Sequence, residues 1–169
     1  RRVIDDPDNN MNQLMMRVLK DTDTEVVKAM FENFFLNANF IGWQTQEEMR
    51  KKYNCNIPWA ILLDPTSACN LKCTGCWAAE YGNKLNLTFD EIDSIIMQGK
   101  ELGVYFYIYT GGEPLVRKKD LIALCRKHHD CQFLTFTNGT LIDEEFADQM
   151  LDVKNLVPAI SVEGFEEAT

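Results

Sequence analysis

An α/β fold with parallel strands is predicted by two observations. From Trp59 onward, apolar strand-like runs alternate with amphipathic helical runs, and repeats of that length require parallel strands joined by right-handed helical crossovers. The runs also end abruptly in small or polar residues, at Thr110-Gly-Gly-Glu-Pro114, Thr135-Phe-Thr-Asn-Gly139 and Ile160-Ser-Val-Glu-Gly164. Parallel units gather such strand ends on one edge, where α/β proteins place their ligand sites. The predicted strands suffice for an open sheet or for about half of a barrel.

Residues 1–57 read as an N-terminal helical extension and 58–169 as the strand–helix region. Met11, Leu14, Met15, Val18 and Leu19 follow the helical period, as do Val26, Val27, Met30, Phe31, Phe34 and Phe35; both stripes are read as core. Thr45 with Glu48 suggests a capping box for a short helix, and Asn56-Ile-Pro58 breaks the pattern. The first strand is placed at Trp59 to Leu63. Thr88 and Glu91 form a second capping box, opening a helix with Phe89, Ile92, Ile95, Ile96 and Leu102 inward, and Gly103 stops it. Val104 to Tyr109 is continuous, β-branched and aromatic, as expected of a strand buried on both faces. A helix around Asp120 to His128 turns Leu121, Leu124 and Cys125 inward. Gln132 to Phe136 is the third strand, and Asp143 to Leu151 a helix with Phe146, Ala147, Met150 and Leu151 inside. Leu156 to Val162 is the fourth strand.

The 169 residues, 46% hydrophobic and 25% charged, describe one ordinary globular domain. A formal charge of −9 opposes general attraction to nucleic acid or to an anionic membrane, so neither is expected as a partner. No apolar run reaches the ~18 residues of a membrane span and no signal-peptide pattern opens the chain, so the expected setting is cytoplasmic. The chain begins Arg1-Arg2 without methionine and stops at Thr169 just after a strand, which reads as a piece cut at both ends.

Six cysteines are present, and three crowd into Cys69-Asn-Leu-Lys-Cys73-Thr-Gly-Cys76. Thiolates this close can hold a metal centre while leaving one metal position open, unlike closed structural zinc or the usual four-cysteine clusters. The bland alternative is ordinary thiols or a structural metal. Cys55, Cys125 and Cys131 read as structural thiols. His128-His129, after Arg126-Lys127, complements a helix C-terminus, and Arg117-Lys118-Lys119 reads as a solvated turn.

Taken together and in this order, the cysteine triplet, Gly-Gly-Glu-Pro, Thr-Asn-Gly and Ser-Val-Glu-Gly resemble the radical S-adenosylmethionine (radical SAM) superfamily, in particular the branch often carrying extra C-terminal iron–sulfur domains. That resemblance implies a six-stranded partial barrel of the TIM type, of which this chain holds the first four βα units, the rest lying beyond Thr169. It also implies an enzyme in which Cys69, Cys73 and Cys76 bind three irons of a four-iron, four-sulfur (4Fe-4S) cluster and the fourth iron binds SAM. Reductive cleavage would give a 5′-deoxyadenosyl radical that abstracts hydrogen from a small-molecule or peptide substrate, with an electron donor such as ferredoxin or flavodoxin.

The cofactor-binding candidates are Thr110, Gly111, Gly112, Glu113, Pro114, Asn138, Ser161 and Trp77. Gly111 and Gly112 would let backbone approach the methionyl amino group, Pro114 would stiffen the turn, and Thr110 and Glu113 would flank it. Gly-Gly is also ordinary turn punctuation, a reading the upstream triplet outweighs, whereas Asn-Gly is equally a simple turn and Ser161 equally a capping serine. In the family an aromatic residue precedes the third cysteine; here that place is Gly75, and Trp77 is the candidate to pack against adenine. A competing reading is a non-catalytic module in which the triplet and an outside ligand such as His128 hold zinc.

Overall fold

The computed structural model describes residues 5–162 and 164–165. Its helices are α1 (Asn10–Asp21), α2 (Thr24–Met30), α3 (Gly42–Tyr53), α4 (Phe89–Glu101), α5 (Lys118–Lys127) and α6 (Glu144–Val153). The strands β1 (Ala60–Thr66), β2 (Phe106–Gly111), β3 (Gln132–Thr137) and β4 (Leu156–Ile160) pair parallel in one sheet of order β1-β2-β3-β4. The α/β fold with parallel strands is therefore present, and strand order follows the chain.

Helices α4, α5 and α6 return the chain from each strand end to the next strand start. Thr88 opens α4 with the expected box: its Oγ1 accepts the Glu91 N–H at 3.2 Å and Glu91 Oε2 accepts the Thr88 N–H at 2.7 Å. Gly103, at φ 87°, ends the turn that follows. Asp143 Oδ1 accepts the Phe146 N–H at 2.8 Å and starts α6. The inward stripes Ile92 and Ile96, Leu121, Leu124 and Cys125, and Phe146 are buried against Tyr107, Tyr109 and Phe133 of the sheet. Tyr109 and Phe133 lie nearly parallel, ring centres 5.5 Å apart, and the Tyr107 hydroxyl donates to the Ile96 and Val104 carbonyls at 3.0 Å each.

Several expectations are corrected. The sheet is buried on one face: across the other, Leu62 is 58% exposed and Phe136 45%, with Ile108 and Leu134 half-buried. The continuous apolar character of β2 therefore does not report helices on both sides. β1 and β2 extend to Thr66 and Gly111, which pair after a register shift beyond Leu63. β4 stops at Ile160, and Glu163 of the Ser-Val-Glu-Gly run lies outside the described residues.

The N-terminal helices depart furthest. α1 buries none of its residues, and Met11, Leu14, Met15, Val18 and Leu19 are all exposed, so that stripe is no core of the described residues. From α2 the chain stays helical through a π-helical stretch, Phe31–Ile41, directly into α3. Thr45 thus lies inside a helix and caps nothing; its hydroxyl bonds back to the Ile41 carbonyl at 3.4 Å. The helix ends at Asn54, which takes the left-handed conformation at φ 51°, just before Asn56-Ile-Pro58.

Polar side chains fasten this long helix to the loops that lead into β2 and β3. The Asn33 amide donates to the His129 and Cys131 carbonyls at 2.8 and 3.2 Å, Asn37 to Asp130 at 2.9 Å, and Gln46 to Gly103 at 2.8 Å. Phe34 meets Trp59 and Phe106 edge-on. All these contacts lie at the amino edge of the sheet, so the carboxyl edge stays clear.

Gly42 and Gly103 pass backbone against backbone at this joint. A Cβ on Gly42 would stand 2.4 Å from the Gly103 carbonyl oxygen. Although Gly to Ala inside a helix ordinarily gains about 1 kcal/mol, Gly42→Ala should here lose about 1–3 kcal/mol by overpacking. A lowered midpoint in urea unfolding is the expected result, and an unchanged or raised midpoint would show that the helix does not dock this way.

Candidate functional site

Parallel strands bring the residues at their carboxyl ends together, and the loop after β1 carries the cysteine triplet. Its ends are pinned on two sides. The Ser67 N–H donates to the Leu85 carbonyl at 2.8 Å and the Leu85 N–H to Ser67 Oγ at 3.1 Å, as the chain returning towards α4 runs back past Thr66. On the other side the Gly112 N–H donates to the Thr66 carbonyl at 3.0 Å and the Glu113 N–H to the Ala68 carbonyl at 2.8 Å.

Those bonds explain the glycine pair. A Cβ at Gly112 would stand 2.3 Å from the Ala68 oxygen, and at Gly111, with φ 105°, 2.7 Å from the Thr66 oxygen. The pair lets the β2 turn lie directly on the cysteine loop. Gly111 and Gly112 also line a cavity of about 490 Å³ shared with Asp64, Ser67, Tyr81 and Asn86.

Glu113 and Pro114 stand behind the turn, both buried. Glu113 Oε1 accepts from the Leu115 N–H at 2.9 Å and the Thr137 hydroxyl at 2.8 Å, and Oε2 from the Asn138 N–H at 2.9 Å. Its carboxyl group thus ties the end of β2 to the end of β3, satisfied as a buried acid must be. The Asn138 side chain in turn meets Asn70 in the cysteine loop, Nδ2 to Oδ1, at 3.0 Å. Thr110 is half-buried in β2. Ser161 is exposed just past β4, its N–H donating to the Thr137 carbonyl at 2.9 Å. Trp77, 61% exposed, stands edge-on to Tyr81 beside the cavity.

Cys69 is half-buried, and Cys73 and Cys76 are exposed. Cys69 Sγ accepts the Leu71 N–H at 3.4 Å. The Cys76 N–H closes a turn onto the Cys73 carbonyl at 3.3 Å with Gly75 at φ 75°. That conformation costs an L-residue about 1–2 kcal/mol, which gives Gly75 a backbone reason. Among the described residues no three Cys, His, Asp or Glu side chains are gathered as a ready metal site, so the three thiols share one loop without yet sharing one point. Their chemistry fits an iron–sulfur cluster: soft donors, reachable from solvent and outside the core.

Of the other thiols, Cys55 is exposed just beyond α3, against its reading as a structural thiol, and the remaining two differ. Cys125 and Cys131 are fully buried, and burial holds both in the protonated form, with Cys131 pushed up to about 12. His128 is buried at the end of α5, with Nε2 2.8 Å from Asp93 Oδ1 and its carbonyl accepting the Cys131 N–H before β3 begins. It therefore lies at the amino edge, opposite the triplet, and burial pushes its pKa down.

The sequence reading missed Asp64, Asn70 and Arg117. Asp64 was visible as a lone acid in an apolar strand, and Asn70 as an amide between two cysteines. Arg117 is no solvated residue: its guanidinium binds the Pro65 carbonyl at 2.8 Å, the Leu87 carbonyl and Asp120. Lys118 likewise pairs with Asp143, leaving Lys119 as the exposed member of that run.

Comparison with known proteins adds to this geometry. The sequence model of the Radical SAM superfamily matches residues 63–169. Fe-coproporphyrin III synthase of Methanosarcina barkeri is 32% identical over 113 residues, covering 63% of this chain and 28% of that protein. PqqA peptide cyclase of Bradyrhizobium diazoefficiens is 32% identical over 115 residues, covering 66% and 30%. The chain thus spans less than a third of the length of these relatives. Streptococcus suis SuiB bound to S-adenosylmethionine superposes with a TM-score of 0.60 over 94% of this chain and 39% of that one, at 22% identity, a likeness of fold.

Gly112→Ala should lift the β2 turn off the cysteine loop at a local cost of about 1–3 kcal/mol. Amide hydrogen exchange at Glu113 should quicken while Tyr107 and Phe133 keep their protection. Unchanged exchange at Glu113 would mean that the close approach is not what position 112 serves.

Proposed function

The chain belongs to the radical SAM superfamily, and from that premise we propose that Cys69, Cys73 and Cys76 bind a 4Fe-4S cluster whose fourth iron takes S-adenosylmethionine. When bound, these groups supply reductive cleavage of SAM to methionine and a 5′-deoxyadenosyl radical, which abstracts hydrogen from substrate. The observation carrying the reading is the backbone docking of the cysteine loop on Gly111-Gly112, which brings the half-buried Cys69 and the exposed Cys73 and Cys76 to the same carboxyl edge as the cavity that the two glycines line.

Each protein group then has a task. Cys69, Cys73 and Cys76 would hold the cluster, and Gly75 at φ 75° makes the tight turn that keeps Cys73 and Cys76 near each other. The cavity volume suits a cofactor of SAM's class. Asp64 places a carboxyl group on its wall, suited to a ligand with positive ammonium and sulfonium centres. Thr110 and Ser161 offer hydroxyls at neighbouring strand ends, and Trp77 with Tyr81 an aromatic surface for the adenine. The open apolar face of the sheet, with Leu62, Ile108 and Phe136, is where a substrate would lie.

The relatives' names point to different chemistries: synthesis of Fe-coproporphyrin III, cyclisation of a peptide and, for a Clostridium perfringens relative, cyclisation of GTP. We accordingly assign a small-molecule or peptide substrate, and propose with it an electron donor such as ferredoxin or flavodoxin and a cytoplasmic setting. Among the described residues no helix is long and apolar enough to cross a membrane. The zinc-module reading loses its outside ligand, since His128 lies at the opposite edge paired with Asp93.

After anaerobic reconstitution of the intact protein, Cys69→Ala, Cys73→Ala and Cys76→Ala should each abolish iron and acid-labile sulfide, whereas Cys55→Ala, Cys125→Ala and Cys131→Ala should retain both. Equal loss in the second group, or zinc without sulfide in the unaltered protein, would sink the assignment. In the reduced protein, SAM should change the electron paramagnetic resonance (EPR) signal; a cluster indifferent to SAM would remove the cofactor from the reading.

A further inference from the structure

We propose that Asn70, Asn138 and Thr140 are positioning residues that lock the first cysteine of the triplet to the end of β3. Resting on the reading above, this gives Asn138 a task that does not require contact with the cofactor. The three side chains close a ring. Asn138 Nδ2 donates to Asn70 Oδ1 at 3.0 Å, Asn70 Nδ2 to Thr140 Oγ1 at 2.8 Å, and Thr140 Oγ1 to Asn138 Oδ1 at 2.6 Å. Each residue donates once and accepts once, so the amide orientations are mutually fixed.

The ring is rooted in the core. Asn138 receives a further N–H from Thr140 at 2.9 Å, and its own N–H is held by Glu113, which is 1% exposed. Asn70 directly follows Cys69, whose sulfur accepts the Leu71 N–H. A chain of bonds therefore runs from the buried Glu113 through Asn138 to Asn70, just after Cys69, while the Glu113 N–H itself bonds the carbonyl of Ala68, just before it. The loop beyond is exposed from Asn70 to Trp77, so its own packing does little to fix it.

Being half in water, such a ring adds little to global stability. Its effect is local order: it sets where Cys69 sits relative to Gly111-Gly112. Loss of the ring should leave three thiols able to gather iron, and the cofactor-binding geometry disturbed. Metal content and SAM response should then separate, as they would not for a merely structural residue.

Thr140→Val removes the hydroxyl at nearly constant shape, and Thr140→Ser restores it. In the intact, metal-free protein, Asn70→Ala, Asn138→Ala and Thr140→Val should each raise the Leu71 amide exchange rate about 3- to 10-fold. Thr140→Ser should match the unaltered protein. Asn70→Ala combined with Asn138→Ala should exceed neither single change by more than about twofold, because both break one ring. After reconstitution the three ring-breaking variants should keep full iron and sulfide, yet need about tenfold more SAM to reach half of the EPR change. Leu71 exchange unaltered in Thr140→Val and Asn70→Ala would overturn the proposal, whatever the cluster does. So would weakened SAM response in Asn138→Ala alone, which would make that amide a direct cofactor contact. Failure of the unaltered protein to form a cluster would instead count against the proposed function, and the metal-free exchange measurement would still decide the ring.

Discussion

Everything at the carboxyl edge depends on one backbone junction, where the Gly112 and Glu113 N–H groups bond the Thr66 and Ala68 carbonyls. These bonds continue the β1–β2 pairing past the sheet and lay the first residues of the cysteine loop on the second strand's turn. With no room for a side chain at Gly111 or Gly112, the contact cannot be copied by other residues at the same spacing. A parallel sheet alone would bring both segments to one edge; the junction makes them a single surface.

Glu113 supports that surface from below. A buried carboxyl group is costly unless its oxygens find donors, and three donors from Leu115, Thr137 and Asn138 meet it here. Two of them come from the end of β3, so the acid fixes neighbouring strand ends relative to each other. Arg117 does the same on the far side, joining the Pro65 and Leu87 carbonyls. The Gly-Gly-Glu-Pro run thereby serves two purposes: small residues in front permit approach, and the acid behind holds the approach in place.

Much of this was legible in the sequence where short-range chemistry decides the outcome. The Thr88 box, the Gly103 stop and most of the inward stripes of α4 to α6 are local signals and formed as expected, although Leu151 at the end of the α6 stripe is 54% exposed. The strand-end logic also held, since crossover helices leave a parallel sheet little choice. Thr45 with Glu48 misled because a capping box is informative only where a helix begins, and here the helix began at Thr24. The α1 stripe misled for a different reason: periodicity shows that a face is apolar but not what covers it. Glu113 and Arg117 found their roles through partners tens of residues away, which spacing cannot reveal.

The two edges of the sheet divide the work. At the amino edge, Asn33, Asn37 and Gln46 reach backbone carbonyls, and Phe34 closes over Trp59 and Phe106. Amide-to-carbonyl bonds and edge-on rings suit a joint that stays shut. His128 and Asp93 reinforce it, removed from the cysteine loop by the full length of the strands. At the carboxyl edge the bonds run between loops, several of them half in water, and the thiols lie outside the core. A rigid base beneath a loop exposed from Asn70 to Trp77 is the arrangement in which a cysteine loop can rearrange without disturbing the sheet that carries it.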